Sequence, residues 1–153
     1  LESGAIDATE WVGPYNDLAF GFYQVAKYYY GPGFHEPGTQ AECMVNKEEY
    51  DKLPKHLQKI VEHASVSENN KMLSEFTYAN NVAQKKLIDL GVNINNFPAD
   101  VYKEMFNISN EVVAETANAG EINKRIYNSW SKFKKEARDR APYAEQGYMA
   151  RRG

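Results

Sequence analysis

The run Gly4-Ala-Ile-Asp-Ala-Thr-Glu-Trp-Val-Gly-Pro14 sets a carboxylate and an indole side by side, Glu10 and Trp11, just ahead of a Gly-Pro break. From Ala5 to Glu10 apolar Ile6 and Ala8 alternate with polar Asp7 and Thr9, the period-2 pattern of a half-buried strand, and Gly13-Pro14 ends it. Asn16 and Asp17 come next, and their side-chain oxygens suit the free amides of a first helical turn. The stretch therefore predicts a strand-to-helix corner carrying Glu10 and Trp11. In open α/β folds such corners line the ligand crevice.

Working outward, Leu18, Phe22, Val25 and Tyr29 recur at steps of three and four, which predicts a helix from Asn16 to about Tyr30, closed by Gly31-Pro32-Gly33. Tyr28 to Tyr30 then read as packing aromatics at a helix end, with hydroxyls reaching water. Thr39 to Val45 alternates as a strand would, with Ala41, Cys43 and Val45 on one face and Cys43 expected to be buried. After Pro54, one helical face is marked by Leu57, Ile60, Val61 and Ala64 and another by Met72, Phe76, Ala79, Ala83 and Leu87, with a bend expected between Ser65 and Asn70. Leu90 to Phe97 reads as a short strand before Pro98 opens a helix striped by Val101, Met105, Ile108 and Val112. A further stripe, Ile122, Ile126, Trp130, Phe133 and Ala137, follows Asn118-Ala-Gly120, a segment suited to kink or interrupt the helix. The fold class expected is a helix-rich α/β arrangement, one domain over residues 1–153, with a few short strands and long C-terminal helices.

Composition narrows the function. With 153 residues the chain is long enough for one sizeable core, burying about 70% of its unfolded surface. Eighteen basic against 21 acidic residues give a net charge of −3, so no phosphate-backbone binder is implied and nucleic acid is not an expected partner. Apolar runs fall far short of the ~18 to 20 residues that span a bilayer. The single cysteine, Cys43, excludes an internal disulfide and a cysteine metal cluster.

The string IDATEWVGPYNDLAFGFYQVAKYYYGPGFHEPG, residues 6–38, resembles the corresponding stretch of the solute-binding proteins of TRAP (tripartite ATP-independent periplasmic) transporters, in particular the branch for 2-oxo acids and related monocarboxylates. Asn46-Lys-Glu-Glu-Tyr-Asp-Lys-Leu-Pro-Lys-His-Leu-Gln58 is similar to the family's helix-opening segment, and the resemblance extends over essentially the whole chain. Members fold as two lobes, each the size of an ordinary domain. The resemblance implies that these residues form the C-terminal lobe of a two-lobed periplasmic-binding-protein fold, with the N-terminal lobe and any secretory signal upstream. It also implies a periplasmic receptor that hands a small carboxylate, a 2-oxo acid such as pyruvate, or lactate, to TRAP membrane permease subunits.

Site residues follow from the same resemblance. The residue matching Glu10 supplies carboxylate oxygens, and that matching Trp11 its main-chain carbonyl, to a cation that also holds the substrate carboxylate; Glu36 matches a position that contacts ligand or cation in some relatives. All-oxygen ligands favour a hard cation, sodium or calcium. The charge logic is complementary, since a carboxylate buried in a cleft must be matched, and an arginine completing the clamp falls, by the family pattern, in the N-terminal lobe. Some 2-oxo acid members form dimers by exchanging a C-terminal helix, which makes residues 119–153 a helical extension and Glu121 to Arg140 a candidate for homodimer contacts, against the plainer reading of packing on its own lobe.

Competing readings are weaker. Glu10 and Glu36 form a conceivable acid/base pair, but nothing in the sequence fixes their separation, and no phosphate loop, His-Glu-x-x-His or nucleophile elbow is present, so no enzyme is expected. His35 stands beside a proline turn, and His56 and His63 lack a third ligand, so the histidines read as structural. The alternative function is a helical structural or oligomerisation module without a small-molecule ligand.

Overall fold

The computed structural model describes residues 1–35, 38 and 42–152, and it divides into two compact units, the first Leu1–Phe97 and the second from Pro98 onward.

In the first unit, helix α1 (Pro14–Ala19) is only six residues long. Gly21, at φ 75°, sits in the left-handed region that an L side chain adopts with strain, and the chain turns there through a 3-10 turn (Phe22–Gln24) into strand β1 (Tyr28–Gly31). The helix expected from Asn16 to Tyr30 is therefore cut short. The three tyrosines form a strand, as befits residues that favour a pleated surface. Ala5 to Glu10 is also not a strand: its alternation finds no ladder among the described residues, and Ile6 lies exposed. Cys43 is exposed and no strand is formed over Glu42 to Val45, so the expected strand is not found there; its residues 39–41 lie outside the described residues.

Helix α2 (Lys47–Lys52) is capped by Asn46, whose Oδ1 accepts from the Glu49 amide at 3.1 Å. Helix α3 (Lys55–Asp89) runs 35 residues without interruption, about 50 Å. Its first turn has no side-chain cap of its own. Instead buried Gln58 reaches back, its Nε2 donating to the carbonyls of Tyr50 at 2.9 Å and Leu53 at 3.0 Å, which ties α3 to α2. The expected interruption near Ser65 does not occur: the helix continues through residues 65–70, with the Ser65 hydroxyl donating to the Val61 carbonyl of its own helix at 2.9 Å. Strand β2 (Asn93–Asn96) then pairs in parallel with β1, Tyr28 opposite Asn93 through Gly31 opposite Asn96.

In the second unit, α4 (Ala99–Ala117) opens after Pro98 and α5 (Glu121–Arg140) after Gly120, so Asn118-Ala-Gly120 interrupts rather than kinks. A 3-10 turn (Ala141–Tyr143) and α6 (Glu145–Arg151) follow. Ile122, Ile126, Trp130 and Phe133 of α5 are exposed, with Lys134 Nζ 4.4 Å from the Trp130 ring centroid. No helix of the described residues is long and apolar enough to cross a membrane.

The buried apolar core of the described residues is small rather than the sizeable one expected. Among the described residues the buried apolar side chains are Ala83, Leu87, Val92 and Ala117, while Trp11, Phe20, Ile60, Leu73, Tyr78 and many others remain open to solvent.

Candidate functional site

The site lies in the first unit, where α1 docks on α3. The Tyr15 amide donates to Asn80 Oδ1 at 2.9 Å, and the Tyr15 ring stands edge-on to Phe76, centroids 5.9 Å apart at 89°. Ahead of α1, Gly13 adopts φ 155° and ψ 179°, a backbone region that is essentially glycine-only. That conformation turns the chain from Glu10-Trp11-Val12 into the helix, and Asn80 Oδ1 lies 3.4 Å from where a Cβ would stand. The corner predicted from Gly-Pro is thus real, though a loop rather than a strand enters it.

Glu10 presents its carboxylate at the surface, its side chain 59% exposed, with His35 Nε2 at 3.9 Å from Oε2. The segment Phe34-His35, next to the candidate Glu36, is thereby brought to Glu10. Glu36, the further candidate donor, lies outside the described residues. The Trp11 ring is half exposed and stands edge-on to Phe20 at 5.7 Å, and Phe20 stacks on Phe22 at 6.0 Å, so a short aromatic row flanks the carboxylate. Phe34 packs against the His35 imidazole with centroids 4.9 Å apart.

Behind Glu10 lies a second acid that the sequence reading treated only as a helix start. Asp17 is 6% exposed. Its Oδ2 accepts from the Tyr29 hydroxyl at 2.6 Å, and its Oδ1 is buried without a hydrogen-bond partner. A backbone contact from the Gly13 amide also favours the charged form of this carboxylate. Burial pushes the Asp17 carboxyl above the usual carboxylate range; the Tyr29 bond opposes this, and the charge of Glu10 adds to it. Tyr29 is raised strongly as well, first by burial and then by its bond to Asp17. The signal available in the sequence was the strand propensity of three consecutive tyrosines, which turns Tyr29 onto α1.

Among the described residues no group of three or more His, Cys, Asp or Glu converges to hold a metal. Glu10 offers hard carboxylate oxygens at an open corner, and Asp17 carries one buried oxygen without a partner. That donor chemistry fits a hard cation whose remaining ligands come from elsewhere.

A protein of Nostoc sp. described as a monocarboxylate 2-oxoacid-binding periplasmic protein is 35% identical over 136 residues, 89% of this chain and 37% of its own length. Two solved TRAP solute-binding proteins superpose over 98% of the chain. One, from Colwellia psychrerythraea with bound calcium and pyruvate, gives a TM-score of 0.91 at 35% identity, covering 46% of that chain. The other, from Bordetella bronchiseptica, a mixed-occupancy dimer with copurified calcium and picolinate bound in one site and the other apo, gives 0.93 at 34% identity, covering 45% of that chain. The chain thus spans less than half the length of each of these relatives, and the helix-rich α/β lobe expected from sequence is the arrangement they share. The profile of DctP, bacterial extracellular solute-binding protein family 7, matches residues 1–119, and the chain belongs to that family of solute-binding proteins rather than to a family of enzymes.

Proposed function

We propose that this chain is the C-terminal lobe of a TRAP-transporter receptor that binds a small 2-oxo monocarboxylate, of the pyruvate type, through a bridging cation. The observation that carries the reading is the Glu10-Trp11 corner, an open carboxylate delivered by the glycine-only turn at Gly13 beside the aromatic row Trp11-Phe20-Phe22. Glu10 and the Trp11 carbonyl would hold the cation, with Glu36 as a further donor. Bound there, the cation would neutralise the ligand's carboxylate, a charge that could not otherwise be taken from water into a cleft. Calcium is favoured over sodium because calcium accompanies pyruvate or picolinate in both solved relatives.

The scarcity of buried apolar side chains supports a second lobe. A two-stranded sheet is marginal alone, and so many exposed aromatics call for further protein to cover them. Residues 1–153 then form one lobe, closing by a hinge on the other around the ligand. The family is extracellular; for this chain we place the complete protein in the periplasm, delivering ligand to the permease subunits. Titrating the complete protein with pyruvate in the calorimeter should give heat with calcium present and little after chelation. Absence of heat in both arms refutes the reading.

The exposed face of α5, Ile122, Ile126, Trp130 and Phe133, suits a homodimer in which the C-terminal helical segment, residues 119–153, packs on a partner. Trp130→Ala with Phe133→Ala should convert a dimer to monomer in sedimentation experiments. A complete protein that sediments as a monomer at high concentration would remove the dimer.

A further inference from the structure

Asp17 has a poor environment for an acid. It is buried, one oxygen is spent on Tyr29, the other has no partner, and among the described residues no Lys, Arg or His pairs with it. Burying a carboxylate half-satisfied is costly, and a neutral side chain of the same shape would avoid the cost. The Asp17 amide donates to the Gly13 carbonyl at 2.9 Å, which seats this acid on the turn that follows Glu10-Trp11-Val12, and the Glu10 charge acts on both Asp17 and Tyr29. His35, 43% exposed in its side chain, stands 3.9 Å from Glu10. A positive charge placed at Glu10 would relieve both.

We propose that Asp17 is a positioning residue that acts through space on the cation held at Glu10, adding a second negative charge behind it without ligating it, while Tyr29 fixes its carboxylate. The inference rests on the cation-bridged reading above. A purely structural role, a pin between α1 and β1, needs only the hydrogen bond and not the charge. The two roles separate by cation valence, because a through-space charge acts in proportion to the charge it meets.

The test uses the complete protein at pH 8, titrated calorimetrically with calcium chloride and, separately, sodium chloride, for wild type, Asp17→Asn and Tyr29→Phe. Asp17→Asn keeps an oxygen to accept from Tyr29 and loses the charge. It should weaken calcium about tenfold and sodium only about threefold, the range in which groups behind a metal's ligands act. Tyr29→Phe, which keeps the charge and breaks the bond, should stay within about threefold of wild type for calcium while its melting temperature falls. Equal losses for both cations in Asp17→Asn, or a calcium loss in Tyr29→Phe matching that of Asp17→Asn, would make Asp17 a structural pin and overturn the inference. Wild-type calcium binding with Asp17→Asn unchanged overturns it alone, whereas no calcium binding by wild type removes the cation-bridged reading and the inference together. Where Asp17→Asn does not fold, as judged by circular dichroism, Asp17→Ser supplies the neutral side chain for the same comparison.

Discussion

Glu10→Gln in the complete protein is expected to weaken calcium, and pyruvate in the presence of calcium, by roughly 30-fold to several thousand-fold, the equivalent of the ~2–5 kcal/mol lost when one partner of a desolvated charge pair is neutralised. Glutamine keeps the shape and one oxygen of the side chain and removes only its charge, so the loss reads the charge itself. Stability should barely move. The Glu10 side chain is 59% exposed and its ionic neighbour, His35, stands 3.9 Å away, an arrangement typical of surface pairs that contribute little to folding. Thermal melts without ligand and calorimetric titrations with it therefore separate in this variant: an unchanged melting temperature beside a collapsed affinity. A Glu10→Gln protein that binds pyruvate and calcium like wild type would place the cation elsewhere in the molecule.

The corner was legible in sequence because Gly13-Pro14 is punctuation that local chemistry fixes, whatever surrounds it. What enters the corner was not legible. Alternation from Ala5 to Glu10 predicts a strand only if a neighbouring chain supplies a ladder, and among the described residues none does. The helix expected over Asn16 to Tyr30 failed on competition between signals: Leu18, Phe22, Val25 and Tyr29 keep helical spacing, but Gly21 turns the chain and the tyrosines pair with Asn93 to Asn95 instead. That pairing spans more than sixty residues of sequence and leaves no local trace. It also decides the fate of Asp17, since an acid near a helix start reads as a cap until a tyrosine twelve residues on is turned against it. The helical character of Leu57 to Ala64 and of Met72 to Leu87 was legible from their spacing, but their union into one helix was not, because the Ser- and Asn-rich stretch between them carries no apolar period and reads as a bend.

The second large effect concerns stability. Leu87→Ala is expected to destabilise the first unit by about 2–5 kcal/mol, the range for deleting a fully buried leucine and leaving its cavity. Leu87 is 2% exposed, the only large side chain of the described residues so completely enclosed, and its neighbours in the buried set are small: Ala83 one turn before it and Val92 just beyond the helix end. The position also joins the two parts that build the site. Its carbonyl accepts from the Val92 amide at 3.0 Å, which closes α3 and directs the chain into β2, and β2 in turn holds β1 and Tyr29 in register behind Asp17. Leu73→Ala on the same helix is the control, since that side chain is 69% exposed and its truncation should fall within about 0.5 kcal/mol. Urea unfolding of the complete protein without ligand measures both. Equal costs for the two variants would mean that the enclosure of Leu87 does not hold α3 against the sheet, and that the Asp17–Tyr29 corner is supported from somewhere else.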